Sequence, residues 1–281
     1  MKRETGSGES VAAASSVVRG NQVIIIKELV TASHVGLVYQ SEEGELTALS
    51  DVSFSVAPGE FLSIIGPSGC GKSTLLTLIA GLMPVSRGEV LIDGRPPKEA
   101  SDLIGYMLQK DTLFPWRTIW QNVTLGLELR RIRTPERLAY TEELLRTYGL
   151  YEFRNSRPDD LSGGMRQRCA LIRTLATGPS LLLLDEAFSA LDYQTRLAVA
   201  DDIYGIIRRE KKTAIIVTHD ISEAVSLSDR VLVLSKRPAT VKSVHEIHFA
   251  KEGLSPLERR DEPEFREYFQ EIWRDIDVHI S

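Results

Sequence analysis

Gly66, Pro67, Ser68, Gly69, Cys70, Gly71, Lys72 and Ser73 form a string that fits G-x-x-x-x-G-K-[ST]. The string constrains the fold because it works in one setting only, a buried strand running into a glycine loop that opens a helix. The apolar run 61–65 precedes it and the helix-favouring Leu-Leu-Thr-Leu-Ile-Ala-Gly-Leu follows. In that setting the glycines let backbone N–H groups converge on phosphate oxygens, and the helix start adds its dipole. Lys72 then reaches the β- and γ-phosphates of a nucleoside triphosphate, and Ser73 offers its hydroxyl to Mg²⁺. With Thr74 directly behind them, residues 66–74 are the expected nucleotide contacts. A purely structural glycine turn is the competing reading, and the flanking strand and helix weigh against it. Cys70 lies near the helix start, where a thiol pKa tends to fall. It is therefore expected to be a reactive thiol that ATP protects, with a small space-filling side chain as the alternative.

A second constellation lies downstream. Leu181, Leu182, Leu183 and Leu184 make a short apolar run that ends in Asp185 and Glu186. A buried strand would pin its terminal Asp where it can hold hydrated Mg²⁺, and the adjacent Glu could polarise a water, which makes Glu186 the expected general base. Beyond residue 161 strand-like and helix-like runs alternate at 181–184, 195–208, 213–217, 222–226 and 231–234. Such alternation means βα units and a mostly parallel sheet. Before the loop, β-branched runs stand at 23–26, 52–56 and 89–92, whereas 111–154 turns polar and helical, with Arg130, Arg131 and Arg133 on a solvated face. The first twenty residues, rich in Ser, Gly, Ala and Glu, are expected to be a disordered leader. Near the other end Phe265, Phe269, Ile272 and Ile276 recur at helical spacing, an amphipathic helix expected to dock on its own chain.

Composition narrows the classes. The 281 residues suffice for one large domain or two smaller ones. A net charge of −5 argues against a nucleic-acid coat. No apolar run approaches the 18 or so residues of a membrane span; 75–85, the longest, is broken by Gly81 and Pro84. Glu4, Glu9 and the serines of the amino-terminal stretch argue against a secretory signal. Cys70 and Cys169 are too few for a disulfide framework, so a reducing compartment is expected.

Leu161, Ser162, Gly163, Gly164, Met165, Arg166, Gln167 and Arg168 bring these elements together. A Ser and two glycines at a helix start make an anion site of free N–H groups and a hydroxyl; Met165, Cys169, Ile172 and Ala176 read as a core stripe. With the loop, the 181–186 run and Ser189-Ala-Leu-Asp192, the chain closely resembles the ATP-binding subunits of ABC transporters over roughly residues 23–250. The resemblance implies an α/β P-loop NTPase fold, with a RecA-like core, an antiparallel β subdomain and a helical subdomain. The implied organisation is a leader at 1–21, a nucleotide-binding domain at 22–250 with its helical subdomain at about 111–165, and a carboxy-terminal helical extension at 251–281.

The same resemblance implies roles residue by residue. Gln109 matches the glutamine that contacts Mg²⁺ and the attacking water and senses the membrane partner. His219 matches the switch histidine that holds the γ-phosphate. Catalysis is thus expected from Lys72, Gln109, Glu186 and His219, and metal binding from Ser73, Gln109 and Asp185. Asp192 matches the aspartate of the dimer interface, and Ser162, Gly163 and Gly164 face the nucleotide of a second copy. Tyr39 is the expected adenine-stacking aromatic, in a register left open by residues 42–45, which read as a small insertion. Ala187 stands where the family usually has Pro. The implied assembly is a homodimer that sandwiches two ATP molecules, bound to transmembrane permease subunits on the cytoplasmic face of the membrane. A periplasmic or lipoprotein substrate-binding protein takes part indirectly, and no nucleic acid is involved.

The segment from Gln109 through Phe114, Pro115, Trp116, Arg117 and Thr118 resembles importers of nitrate, sulfonates, taurine and related small anions. Residues 188–196, 235–239 and 263–273 are similar to the same group. The groove near Phe114 and Trp116 is expected to receive a helix of the permease, with burial of Trp116 in the subdomain's own core as the alternative. A non-transport ABC ATPase of DNA repair or translation is the competing function.

Overall fold

The computed structural model describes residues 15–19, 22–41 and 44–276. The first described elements are two antiparallel strands, β1 (Ser15–Arg19) and β2 (Gln22–Ile26), which form their own sheet. Most of the expected leader lies outside the described residues, but its 15–19 segment is this strand. There follow β3 (Val30–Ser41), β4 (Gly44–Val56), β5 (Phe61–Ile65), α1 (Lys72–Ile79), β6 (Arg87–Ile92) and β7 (Ile104–Met107). Three helices come next, α2 (Ile119–Val123), α3 (Leu125–Leu129) and α4 (Pro135–Thr147), with two 3-10 turns at Tyr151–Phe153 and Pro158–Asp160. The rest alternates: α5 (Gly163–Leu175), β8 (Leu181–Asp185), α6 (Tyr193–Arg209), β9 (Thr213–Val217), α7 (Ile221–Leu227), β10 (Arg230–Leu234), β11 (Ala239–Glu246), α8 (Pro256–Arg259) and α9 (Pro263–Ile276).

One nine-stranded sheet carries the order β6-β3-β4-β11-β10-β5-β9-β8-β7. Its half from β10 to β7 is wholly parallel. Helices cover both faces there, so the strands read as unbroken apolar runs, and every residue of β5 and of β9 is buried. In the other half β3 pairs antiparallel with both β4 and β6, and β11 joins the halves, antiparallel to β10 and parallel to β4. The architecture is mixed α/β with a parallel core and an antiparallel flank, as the resemblance implies. The expected insertion at 42–45 lies partly outside the described residues; Gly44 and Glu45 already belong to β4.

Two further strands, besides β1 within the expected leader, depart from the sequence reading. β3 was not anticipated, because its alternation is interrupted by register shifts between Ala32 and Val35, Val35 and Leu37, and Leu37 and Val38. β11 was missed because only Ala239 of its eight residues is buried.

The parallel half positions the site. In open α/β sheets ligands bind outside the carboxyl ends of the strands. The loops leaving β5, β7, β8, β9 and β10 carry residues 66–71, Gln109, Glu186, His219 and Arg237 to that edge. At the far end α9 buries Ile272 completely and half-buries Phe265, Phe269 and Ile276 against Ile65, Val225, Val231 and Val233. The tail thus docks on its own chain, as its helical spacing predicts.

Candidate functional site

The loop after β5 folds tightly onto the end of β10. A Cβ on Gly66 would meet Leu234 O at 2.8 Å, so only glycine allows this approach. Lys72, the first residue of α1, turns its side chain back on the loop, with Nζ donating to Gly66 O at 2.9 Å and Pro67 O at 3.0 Å. Lys72 is only 7% exposed, and its charge meets two carbonyl dipoles rather than a carboxylate. A nearly buried, incompletely neutralised cation at a helix start is suited to a phosphate.

That lysine lines a cavity of about 530 Å³ with Ser68, Gly69, Gly71, Ser73, Thr74, Glu186, His219 and Arg237. Residues separated by more than a hundred positions thereby meet. Ser73 Oγ donates to Asp185 Oδ1 at 2.9 Å, and Tyr106 OH donates to Asp185 Oδ2 at 3.1 Å. Burial and the neighbouring Asp185 push the Tyr106 phenol far up, which keeps it a donor to that carboxylate. One carboxylate beside one hydroxyl, all oxygen, suits Mg²⁺, which prefers few protein ligands and completes its shell with water and phosphate.

Glu186 follows the end of β8 with φ of +47°, a conformation unusual for a side chain of this size. Its N–H donates to Val217 O at 2.9 Å, tying it to β9. Its Oε1 lies 3.4 Å from His219 Nδ1. Ser189 Oγ donates to Glu186 O at 2.9 Å, and Gln109 Nε2 donates in turn to Ser189 Oγ at 3.0 Å. Gln109 therefore connects to the backbone of Glu186 through one hydroxyl and does not line the cavity. Tyr39 stands half-buried on β3 with its OH 3.2 Å from Thr74 Oγ1.

Ser162, Gly163, Gly164 and Asp192 lie apart from these groups, around a second concavity of about 490 Å³ between α5 and α6. Ser162 caps α5, accepting from Met165 N at 3.3 Å. Asp192 caps α6 through Thr195 N at 3.1 Å, and those Thr195 hydrogen bonds hold its carboxyl below the usual range. Gly164 permits the close crossing of the two helices, since a Cβ there would lie 2.8 Å from Val199 Cγ2.

The expectation of a low thiol pKa at Cys70 is corrected. Cys70 is 1% exposed, and burial pushes its pKa up against the weaker pull of Lys72 and Arg237. Proximity to a helix start is outweighed by desolvation; the small filler is what the structure contains. Tyr106 is missed because it reaches Asp185 from the neighbouring strand β7 rather than through a motif; Ser189 and Arg237 stand in segments quoted for the resemblance, but nothing in those strings shows that their side chains face this site. The alternative of Trp116 as core is also corrected: it is 67% exposed, its ring 5.0 Å from that of Phe114.

Comparison with known proteins agrees with this geometry. A family model described as ABC transporter matches residues 49–189. The chain is 46% identical over 243 residues to the uncharacterized ABC transporter ATP-binding protein YtlC of Bacillus subtilis, covering 86% of this chain and 94% of that one. It is 39% identical over 248 residues to the taurine import ATP-binding protein TauB of Rhizobium johnstonii, covering 87% and 95%. Among solved structures, the ATP-binding cassette MJ0796 in a dimeric post-hydrolysis state bound to ADP and Pi superposes with a TM-score of 0.66. The two are 32% identical, and the match covers 78% of this chain and 99% of that one. The chain thus belongs to the ABC transporter family, as an ATP-binding subunit that hydrolyses ATP.

Proposed function

We propose that this subunit drives the import of a small organic or inorganic anion of the nitrate, sulfonate or taurine type, as two copies that sandwich two ATP molecules between them. The observation that carries the reading is the division of the site. Lys72, Glu186 and His219 share one cavity, whereas Ser162, Gly163, Gly164 and Asp192 surround another on the same chain. Two copies arranged head to tail would bring each cavity against the other's complement. The dimer in the MJ0796 structures and the taurine import name of the Rhizobium johnstonii relative support the assembly and the cargo class.

In this reading Lys72 binds the terminal phosphates, and residues 66–74 orient the chain. Asp185 and Ser73 would hold Mg²⁺, which when bound neutralises phosphate charge. Glu186 takes the proton of the attacking water, and the adjacent His219 Nδ1 stabilises the charged carboxylate and reaches the γ-phosphate. Ser189 and Gln109 fix the backbone of Glu186. Hydrolysis removes the ligand that favours the closed pair, so the copies separate.

Among the described residues no helix is long and apolar enough to cross a membrane. The proposed attachment to the cytoplasmic face is through a permease, whose helix meets the exposed Trp116 and the half-buried Phe114 beside it. The active-site part is tested by Glu186→Gln. Hydrolysis should fall by orders of magnitude while ATP binding persists, and size-exclusion chromatography in Mg-ATP should show a dimer. Hydrolysis at the wild-type rate would remove Glu186 as the base.

A further inference from the structure

β10 runs parallel to β5, pairing Leu232 with Ile64 and Val233 with Ile65, so both strands release their loops at one edge of the sheet. The loop after β10 is a tight turn, closed by Ser235 N donating to Thr240 O at 3.0 Å and Thr240 N donating to Ser235 Oγ at 3.0 Å. Its root already touches the phosphate loop at Gly66 and Leu234. At its tip Arg237 Nη2 donates to Gly69 O at 2.6 Å, and the side chain lines the cavity that holds Lys72, Ser73, Glu186 and His219.

Exposed arginines commonly pair with carboxylates. Among the described residues Arg237 has none, and its one hydrogen-bond partner is a backbone carbonyl. A guanidinium carries five donors, which leaves most of this one's capacity unspent. Its charge is felt within the loop, where with Lys72 it opposes the effect of burial on Cys70. The planar fork suits phosphate oxygens better than an ammonium does. Anchorage to Gly69 fixes the side chain in advance, reducing the rotamer freedom that binding would remove.

We infer that Arg237 is a nucleotide-binding residue whose guanidinium contacts the phosphate chain, adding a second cation to that of Lys72; the inference rests on residues 66–74 being the nucleotide site. Lys72 approaches from within the loop, and Arg237 from the neighbouring strand's turn. The result is a phosphate site with one buried and one exposed cation.

The test is equilibrium titration of the full chain with ATP and with ADP, comparing wild type, Arg237→Ala, Arg237→Gln, Arg237→Lys and Lys72→Ala, with thermal melting without nucleotide to confirm that each variant is folded. Arg237→Ala should weaken both nucleotides about tenfold. Arg237→Gln, which keeps a donor for Gly69 O but no charge, should weaken them nearly as much, and Arg237→Lys should recover most of the loss. Wild-type affinity in Arg237→Gln would make the residue a brace for the loop and overturn the inference. So would Arg237→Ala binding within about twofold of wild type while Lys72→Ala is weakened tenfold or more. If Lys72→Ala itself binds normally, the nucleotide lies elsewhere and the reading of the loop fails first.

Discussion

Glu223 sits near the start of α7, 5% exposed, four residues beyond His219. Burial is the main reason its pKa rises to about 7; Asp220 adds to the rise, and the Thr218 hydrogen bond, Arg196 and His219 oppose it. A carboxyl whose pKa is raised on folding holds its proton in the native state after the unfolded chain has released it. Its stabilising effect is complete below about pH 4.5 and is lost as pH climbs toward about 7. Glu223→Gln mimics the protonated form at every pH. The variant should match wild type near pH 4.5 and exceed it by about 1–3 kcal/mol at pH 8, measured by urea unfolding at both values. An equal difference at the two pH values would show that the carboxyl does not titrate on folding. At this scale legibility followed chemistry. The structure brings Lys72, Ser73, Asp185, Glu186 and His219 together, the first four from short strings with a stated mechanical purpose and His219 from the resemblance alone. Arg237 could not, because its partner Gly69 lies 168 positions away. Cys70 was misjudged because a string reports closeness to a helix start but not the desolvation that overrides it.

Elements were legible in proportion to how apolar their buried faces are. The parallel strands bury both faces and stood out as runs of Leu, Ile and Val. β3 curves through register shifts that scramble its period, and β11 lies with one polar face outward, so neither stood out. α9 was readable from its stripe, and the structure adds a polar latch. His245 Nε2 lies 2.8 Å from Asp275 Oδ2, and Ser243 Oγ donates to the same oxygen. Packing, however, carries more of the docking than the latch, since Ile272 is the one fully buried side chain of the helix. Ile272→Ala should lower the free energy of local opening of α9 by about 2–4 kcal/mol while the ATP site is unaffected. Hydrogen exchange of the α9 amides reads this directly. Unchanged exchange there would mean that the latch, rather than the core contact, holds the helix.

At the scale of the whole molecule, the cavity at Lys72 and the concavity at Ser162 are separate, because each is built into a different helix start of the same chain. α1 opens from the centre of the sheet, whereas α5 opens beside α6, held there by Gly164 against Val199. If one chain completed its own site, two defects on different chains could never compensate. If the site forms between chains, they can. In a Glu186→Gln background that retains nucleotide, one variant carries Lys72→Ala and the other Ser162→Asp. Asp caps a helix about as well as Ser, so α5 should remain folded while its anion site gains a negative charge. Each variant alone should form no nucleotide-holding dimer in Mg-ATP. In the mixture, the intact loop of the Ser162→Asp chain faces the intact Ser162 of the Lys72→Ala chain. The mixture should therefore yield a dimer that retains about one ATP, half the content of the parent, as the symmetry of a two-fold pair requires. Size-exclusion chromatography with nucleotide quantification decides the matter. A mixture as empty as its components would return the site to a single chain and leave the second cavity without its proposed purpose.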